Sequence, residues 1–216
     1  MAEGNKTKKN DFVKIEYVGY AEGKVFDSNI EEELKKINPN IKKVQDSDII
    51  IIGQNMVLPS LDKKLEDKEI EKEYEIKISA KDGFGERKKE LIKVFPLNEF
   101  RMQKIEPAVG MVLTLDNLIA KVIAVNGARV TVDFNNPLAG KDLTYKIKIK
   151  EIIENLEEKV KFLLKQFFNE ISEYEIKDKE VVVKIKEIPK DENLLFIKKK
   201  FLELIGKEIG FELKKN

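Results

Sequence analysis

The sequence has no cysteine, no histidine and no tryptophan among its 216 residues. Without cysteine there are no disulfide bonds and no thiolate catalysis, and without histidine there is no serine–histidine triad. Both absences remove the commonest ligands of transition metals, so we expect neither a metal nor a cofactor. A charge surplus is also missing, since 41 Lys and Arg residues balance 40 Asp and Glu residues. We therefore expect no nucleic-acid partner, because that function usually requires a clustered basic surplus.

Long apolar runs are missing as well. The first ten residues, MAEGNKTKKN, lack the apolar core of a signal peptide. No apolar run approaches the roughly 18 residues of a membrane-spanning helix. We therefore expect a cytoplasmic protein with no membrane partner. The many Lys, Glu and Ile residues predict a thermophilic source, and the alternative is a mesophilic protein rich in Lys and Glu.

The apolar residues that are present, 42% of the chain, are sufficient for real hydrophobic cores. A chain of this length forms one large domain or two to three small ones. Residues 12–20, FVKIEYVGY, alternate as a half-buried strand, and a tight turn at Glu22-Gly23 leads into VFDSN. A short polar helix is predicted over 30–41, a fully apolar strand over 49–52, and a helix from Pro59 onward.

The second half contains further strand and helix patterns. Asn126-Gly127 between alternating apolar runs predicts a hairpin. Residues 143–153 alternate again as a strand, and a helical pattern begins at Glu154. Two short strands, EYEI and EVVVKI, precede a last helix that ends at Gly206 or Gly210.

Several of these segments, taken in order, resemble the FK506-binding-protein (FKBP) class of peptidyl-prolyl cis/trans isomerases. They are VKIEYVGY, EGKVFDSN, GQNMVLPSLDKKL and KDGFGERKKELI, and NNPLAGKDLTYKIKIKEI is similar to the closing strand of the SlyD-type branch. That branch carries a domain inserted in its flap. The resemblance covers roughly residues 12–153, and the tail beyond it is similar in placement to the extra domain of long archaeal members.

The resemblance implies an α+β fold with three domains. An FKBP-like antiparallel half-barrel sheet wrapped on a short helix is expected over 1–87 and 138–153. A small β-rich domain inserted in the flap is expected over 88–137, and a C-terminal α+β domain over 154–216. About 60 residues barely sustain a core alone, so the tail either docks on the first domain or pairs with a second copy. We expect a homodimer through 154–216, with a monomeric accessory domain as the alternative.

The resemblance also implies a set of catalytic residues: Tyr17, Phe26, Asp27, Val57, Leu58, Leu61, Phe84 and Tyr145. In the family an aromatic–aspartate pair lines the proline pocket, the first-strand tyrosine holds the aspartate, and a backbone N–H, here that of Leu58, binds the carbonyl before the proline. The alternative from the residues alone is a turn-forming Asp27 beside ordinary core aromatic and apolar side chains. Ser60 replaces a common glycine, and Phe84 replaces a common tyrosine.

The insertion contains bulky apolar residues that suit promiscuous binding of unfolded chains: Phe95, Phe100, Met102, Met111 and Leu118. The alternative is that they form the core of the inserted domain. The predicted function is a peptidyl-prolyl isomerase that also acts as a chaperone for unfolded or nascent chains containing proline. The alternative function is a pure binding chaperone with a weakened isomerase pocket.

Overall fold

The computed structural model describes residues 6–41, 48–115, 117–168, 173–185 and 191–213. The strands are β1 Phe12–Ala21, β2 Lys24–Ser28, β3 Ile49–Ile51, β4 Glu73–Ile78, β5 Ile92–Pro96, β6 Val112–Leu115, β7 Leu118–Asn126, β8 Arg129–Asp133, β9 Leu143–Ile152, β10 Glu173–Ile176, β11 Glu180–Ile185 and β12 Glu208–Leu213. The helices are α1 Glu31–Ile37, α2 Pro59–Asp62, α3 Leu97–Met102, α4 Leu156–Phe167 and α5 Asp191–Ile205, with 3-10 turns at Lys63–Leu65 and Lys89–Leu91. The predicted α+β class is confirmed.

The first sheet has the order β2-β1-β9-β4, and β3 pairs with β1. The predicted turn between β1 and β2 is confirmed. Ala21 pairs with Lys24 across it, and the two intervening residues, Glu22 and Gly23, have φ of 52° and 75°. Positive φ at both central residues is typical of the tight hairpin turns that match the twist of paired strands. This turn sets β2, and with it Asp27, beside β1.

The second sheet is antiparallel, with the order β5-β8-β7-β6. The predicted hairpin at Asn126-Gly127 joins β7 to β8, and Gly127 has the positive φ of 56° that the turn needs. Valine side chains of β7 and β8 form the core of this sheet together with Phe100 of α3. The short helix α3 was not predicted, because its six residues are too few to show a helical apolar period.

The third sheet has the order β10-β11-β12. The pair β10–β11 is antiparallel and β11–β12 is parallel, and α5 forms the connection between the parallel strands. The predicted strands EYEI and EVVVKI are confirmed. Of the two predicted helix ends, Gly206 is correct, with φ of 66°. The residues that follow it form β12, which the sequence did not predict because Gly210 interrupts the apolar pattern.

The chain forms two compact units. Unit 1 comprises Met1–Glu16, Val44–Glu73 and Ile147–Asn216, and unit 2 comprises Tyr17–Lys43 and Tyr74–Lys146. In unit 1 the C-terminal elements share one hydrophobic core with the first strands, because side chains of β1, β3, α4, β11 and α5 pack together. Phe12 contacts Phe162 edge to face, with ring centroids 6.1 Å apart.

This shared core corrects one expectation. The alternation of residues 12–20 predicted a half-buried strand, but the adjacent residues Phe12 and Val13 are both fully buried. The N-terminal half of β1 is covered on both faces because α4 packs on Phe12. Within the described ranges, no helix combines the length and the apolar character needed to span a bilayer.

Candidate active site

The hairpin β1–β2 brings Tyr17 and Asp27 together in unit 2. Their register places Val18 opposite Ser28 and Gly19 opposite Asp27, with an irregularity after Gly19. The Tyr17 hydroxyl donates a hydrogen bond of 3.1 Å to Oδ2 of Asp27. The pair predicted from the family resemblance is therefore joined by a direct contact.

The two residues after Asp27 fix this geometry, and the sequence analysis did not single them out. Oδ1 of Asn29 accepts a hydrogen bond from the Tyr17 N–H at 2.8 Å, and the Ser28 hydroxyl donates to the Tyr17 carbonyl at 2.7 Å. The same Ser28 oxygen accepts from the N–H of Ile30 at 3.0 Å. Ser28 and Asn29 are both buried, and buried backbone groups need hydrogen-bond partners. These side-chain bonds take the place of strand-to-strand hydrogen bonds where β2 ends. A Ser-Asn pair directly after a strand is the signal that could have identified them.

Asp27 and four aromatic residues, linked in a chain of contacts, form an arrangement that we name the acid–aromatic cluster: Tyr17, Phe26, Asp27, Phe84 and Tyr145. Phe26 meets Tyr145 edge to face at 5.7 Å between centroids and meets Phe84 edge to face at 6.3 Å. Tyr17 and Tyr145 are tilted, with centroids 6.3 Å apart. Edge-to-face contacts of this kind are favourable and set the orientation of the rings. The structure thus brings together five of the eight predicted catalytic residues.

Gly19 is a sixth residue of this region, and the sequence analysis missed it. A Cβ atom at Gly19 would lie 2.9 Å from Cζ of Phe26 and 3.1 Å from Cε1 of Tyr145. Its φ is not in the left-handed region, so the glycine is required by space and not by backbone conformation. The absence of a side chain allows the two rings to meet above the strand.

Burial controls the electrostatics of the cluster. It raises the pKa of Asp27, and the hydrogen bond from Tyr17 partly offsets this shift. Burial, reinforced by the negative charge of Asp27, raises the pKa of Tyr17 and raises that of Tyr145 to about 12. Both phenols are therefore neutral hydroxyl groups at physiological pH, and Tyr17 is available as a hydrogen-bond donor.

Phe84 reaches the cluster from the loop after β4. The N–H of Ala80 donates to Oδ1 of Asp142 at 2.8 Å, and the N–H of Gly85 donates to the Ala80 carbonyl at 2.8 Å. These bonds close the loop on either side of Phe84. Because Phe84 has no hydroxyl, it supplies an apolar edge and no hydrogen bond to this region.

Val57, Leu58 and Leu61, the other three predicted catalytic residues, lie in unit 1. Val57 and Leu58 are half-buried and precede α2, whereas Leu61 within α2 is 2% exposed. Leu58 is the residue before the helix, and its carbonyl accepts from the N–H groups of Leu61 and Asp62. Among the described residues, none accepts a hydrogen bond from the Leu58 N–H. This donor is therefore available to a ligand, as the resemblance requires.

The five apolar residues predicted for the insertion separate into two groups. Phe100 is 4% exposed and belongs to the core of the second sheet, and Phe95 and Met111 pack against that core. Met102 and Leu118 are 79% and 59% exposed. A groove of about 220 Å³ in this region is lined by Phe95, Glu99, Phe100, Gln103, Thr114 and Leu115.

The acid–aromatic cluster belongs to a class of site that offers aromatic surfaces beside a single carboxylate. Across the described part of the chain, no group of three or more acidic side chains is placed to hold a metal ion. Such a site suits chemistry in which a bound amide rotates without bond cleavage.

Comparisons with known proteins agree with this class. A family model described as FKBP-type peptidyl-prolyl cis-trans isomerase matches residues 3–100, and one described as FKBP26, IF domain, matches residues 93–138. The chain is 32% identical over 149 residues to the short-type peptidyl-prolyl cis-trans isomerase of Methanocaldococcus jannaschii. The aligned residues cover 68% of this chain and 95% of that protein. It is 28% identical over 151 residues to SlyD of Helicobacter pylori, covering 68% of this chain and 75% of that protein.

A second SlyD, from Vibrio cholerae, is 24% identical over 111 residues, which cover 50% of this chain and 55% of that protein. The chain thus spans only about half of this relative. The chain belongs to the family of FKBP-type peptidyl-prolyl cis-trans isomerases, and peptidyl-prolyl isomerase is its enzyme class.

Proposed function

We propose that this protein isomerises X–Pro bonds in unfolded or nascent polypeptide chains and also binds those chains as a folding helper. The observation that carries the catalytic part is the acid–aromatic cluster, with the Tyr17–Asp27 hydrogen bond of 3.1 Å at its centre. The similarity to SlyD proteins supports the folding-helper part.

The catalytic effect follows from the electronic structure of the amide. The X–Pro bond is planar by resonance, and rotation about it has a barrier of about 18–20 kcal/mol. The twisted amide has less charge separation than the planar one, so water stabilises the planar ground state more strongly. Aromatic walls from Phe26, Phe84 and Tyr145 exclude water from the bound proline, which removes that preference and favours the twisted form.

Asp27 supplies a fixed negative field beside these walls. Its carboxylate remains in place because Tyr17 donates to it and because Ser28 and Asn29 hold the backbone of Tyr17. A preorganised charge of this kind acts on the redistribution of charge in the amide without reorganising during rotation. The roles of Val57, Leu58 and Leu61 rest on the resemblance and on the available N–H of Leu58.

Residues 88–137 are proposed as the flap domain that binds unfolded chains. Met102 and Leu118 are the predicted residues whose exposed side chains suit this role. Methionine and other flexible apolar side chains accommodate many sequences. Binding an unfolded chain close to the catalytic residues raises the effective concentration of its prolines.

The test is a refolding reaction limited by proline isomerisation, followed with and without the protein at micromolar concentration. Uncatalysed isomerisation takes tens to hundreds of seconds, so catalysis is readily visible. The wild type should accelerate refolding, and Asp27→Ala should remove most of the acceleration. The alternative function, a pure binding chaperone, would instead prevent aggregation of the client and leave the slow refolding phase unchanged.

We further propose that the protein forms a homodimer through its C-terminal segment. Leu195 and Leu202 on α5 are 71% and 56% exposed, and they lie beside Lys198, Lys199 and Glu208. A two-fold interface pairs the same patch of both subunits, and a patch with an apolar centre and charges of both signs suits that arrangement. Light scattering should give twice the monomer mass for the wild type and the monomer mass for Leu202→Glu.

We also propose a thermophilic, archaeal source. Besides composition, it is supported by a surface ion-pair network in unit 1, in which Glu71 contacts both Lys148 and Lys150, and Lys150 also contacts Glu16. Networks of this kind contribute more at high temperature than isolated pairs do.

A further inference from the structure

Asp62 is a buried charged residue that the proposed mechanism does not yet use. It is 2% exposed and is the last residue of α2, a helix of four residues. A buried carboxylate is costly unless each oxygen is hydrogen-bonded. In this protein both oxygens have backbone partners, so the residue has a defined structural task.

The partners of Asp62 lie at the start of the segment that carries Val57 and Leu58, two of the predicted catalytic residues. Oδ1 accepts from the N–H of Gly53 at 2.8 Å, and Oδ2 accepts from the N–H of Asn55 at 2.7 Å. Hydrogen bonds of this length to an ionised acceptor are about twice as strong as neutral ones. Gly53 and Asn55 have φ of 79° and 55°. This left-handed backbone lets alternate N–H groups converge on a single carboxylate.

Asp62 also holds the other end of the same segment. Its own backbone N–H donates to the carbonyl of Leu58 at 2.9 Å. The six residues Gly53–Leu58 therefore form a loop that is closed at both ends on Asp62, by the carboxylate at one end and by the main chain at the other. The Leu58 N–H, which has no acceptor among the described residues, lies at the end of this closed loop.

We infer that Asp62 is a positioning residue that fixes the Gly53–Leu58 loop and thereby the Leu58 N–H that binds the substrate carbonyl. The inference rests on the proposed function, since it takes the role of that N–H from the family resemblance. Asp62 itself does not touch substrate. It acts by reducing the freedom of the loop before substrate binds, which lowers the entropy lost on binding.

The kinetic signature of such a role differs from that of a general loss of stability. The Leu58 N–H binds the carbonyl in the planar and in the twisted amide alike, so weakening its placement removes uniform binding. Uniform binding appears in KM and leaves kcat nearly unchanged. A residue needed only for stability would leave both constants unchanged in the fraction of protein that is folded.

The experiment measures kcat and KM for a short prolyl peptide with the wild type, Asp62→Asn and Asp67→Asn. Asparagine keeps one accepting oxygen and replaces the other by an NH₂ group, which cannot accept from a backbone N–H. We expect KM to rise roughly fivefold or more in Asp62→Asn, with kcat within about twofold of the wild type. Asp67→Asn is the matched control, because Asp67 is exposed and lies in the same unit. It should behave as the wild type.

A wild-type KM in folded Asp62→Asn would overturn the inference, whether or not the NMR amide shifts of Gly53 and Asn55 change, because the carboxylate would then not control the placement of the Leu58 N–H. If Asp62→Asn does not fold, Asp62→Glu decides, since it keeps the charge and displaces it by one methylene. A raised KM in that variant supports the inference, and an unchanged KM overturns it. Failure of the proposed function is a separate result, because the wild type itself would then show no catalysis.

Discussion

The Tyr17 hydroxyl donates a hydrogen bond of 3.1 Å to the Asp27 carboxylate, and each residue shifts the pKa of the other. Burial raises the pKa of Asp27, whereas the bond from Tyr17 opposes that rise. Burial and the negative charge of Asp27 both raise the pKa of Tyr17. The pair therefore consists of a neutral donor and an acceptor whose charge the donor stabilises, which is the arrangement that a fixed catalytic field requires.

The first prediction separates a catalytic Asp27 from a turn residue. Asparagine serves turns almost as well as aspartate, so Asp27→Asn should cost little if only the turn matters. If the charge acts on the twisting amide, kcat/KM for a prolyl peptide should fall roughly tenfold, about 1.4 kcal/mol of transition-state stabilisation. Asp67→Asn, which removes an exposed carboxylate, is the control and should retain full activity.

Tyr17→Phe completes a double-mutant cycle. It should reduce kcat/KM by less than Asp27→Asn does, because the carboxylate remains but loses its donor. Added to Asp27→Asn, it should cost little more, since both changes act through one group. Full activity of a folded Asp27→Asn protein, or strictly additive effects of the two changes, would contradict the catalytic role of the pair.

The second prediction concerns stability and pH. Because the pKa of Asp27 is raised in the folded protein, the folded state binds its proton more tightly than the unfolded chain does. The ionised carboxylate therefore lowers the free energy of unfolding at every pH above the folded pKa. This destabilisation disappears as the pH falls below the ordinary value of 3.8. Asp27→Asn should thus raise Tm at neutral pH and should show no such gain in acid.

Thermal unfolding of both proteins between about pH 3 and pH 8 measures this difference. Asparagine still offers an oxygen to the Tyr17 hydroxyl, so the comparison isolates the charge. A variant that is less active and more stable is the expected signature of a residue retained for catalysis. A lower Tm for Asp27→Asn at neutral pH would show that the carboxylate is instead part of the stabilising framework.

The features that the sequence predicts correctly depend on local patterns. Alternation predicts β1 and β9, and paired turn residues predict the turns at Glu22-Gly23 and Asn126-Gly127. The ordered motifs also identify five residues that the structure brings into contact in the acid–aromatic cluster. Each of these signals lies within about ten residues of sequence or in the order of such segments.

The features that the sequence does not predict depend on contacts between distant segments. Phe12 and Val13 are both buried because α4, about 150 residues further along the chain, covers one face of β1. Gly19 is necessary because Phe26 and Tyr145 meet over it, and only the folded structure shows this. The start of β12, directly after α5, has no recognisable sequence signal. Its parallel pairing with β11 stabilises this segment despite the weak strand pattern.

The third prediction tests the close approach at Gly19. Gly19→Ala adds a Cβ atom 2.9 Å from the ring of Phe26, so the ring must move. Added atoms in a packed site cost about 1–3 kcal/mol of stability. A displaced Phe26 should also lower kcat/KM by roughly tenfold, since it opens the site to water. Activity assays at a temperature where the variant is fully folded distinguish the two effects.

Gly210→Ala is the matched control for Gly19→Ala. Both glycines lie inside strands and neither has a positive φ, but an added Cβ at Gly210 meets first the carboxylate end of Glu180, at 3.3 Å. That flexible side chain can move aside, so the control should retain wild-type activity and stability. Equal losses in both variants would mean that Gly19 has no special relation to the rings.

The fourth prediction concerns the division of labour between the proposed isomerase domain and residues 88–137. The ends of this segment lie close together, since the N–H of Gly140 donates to the carbonyl of Gly85 at 2.8 Å. A short glycine-serine linker should therefore replace 88–137 without distorting the loop of Phe84. The shortened protein should isomerise a short prolyl peptide at close to the wild-type rate, because the acid–aromatic cluster is made by other segments.

Catalysed refolding of a whole protein client should decrease far more, by roughly tenfold or greater, because the local concentration of the client is lost. Circular dichroism and the retained peptide activity show that the shortened protein is folded. Met102→Ser with Leu118→Ser in the full chain is a milder version, which removes exposed apolar side chains and should reduce only client refolding. If peptide and client activities fall by the same factor in folded protein, residues 88–137 do not bind clients separately, and the proposed chaperone role is wrong.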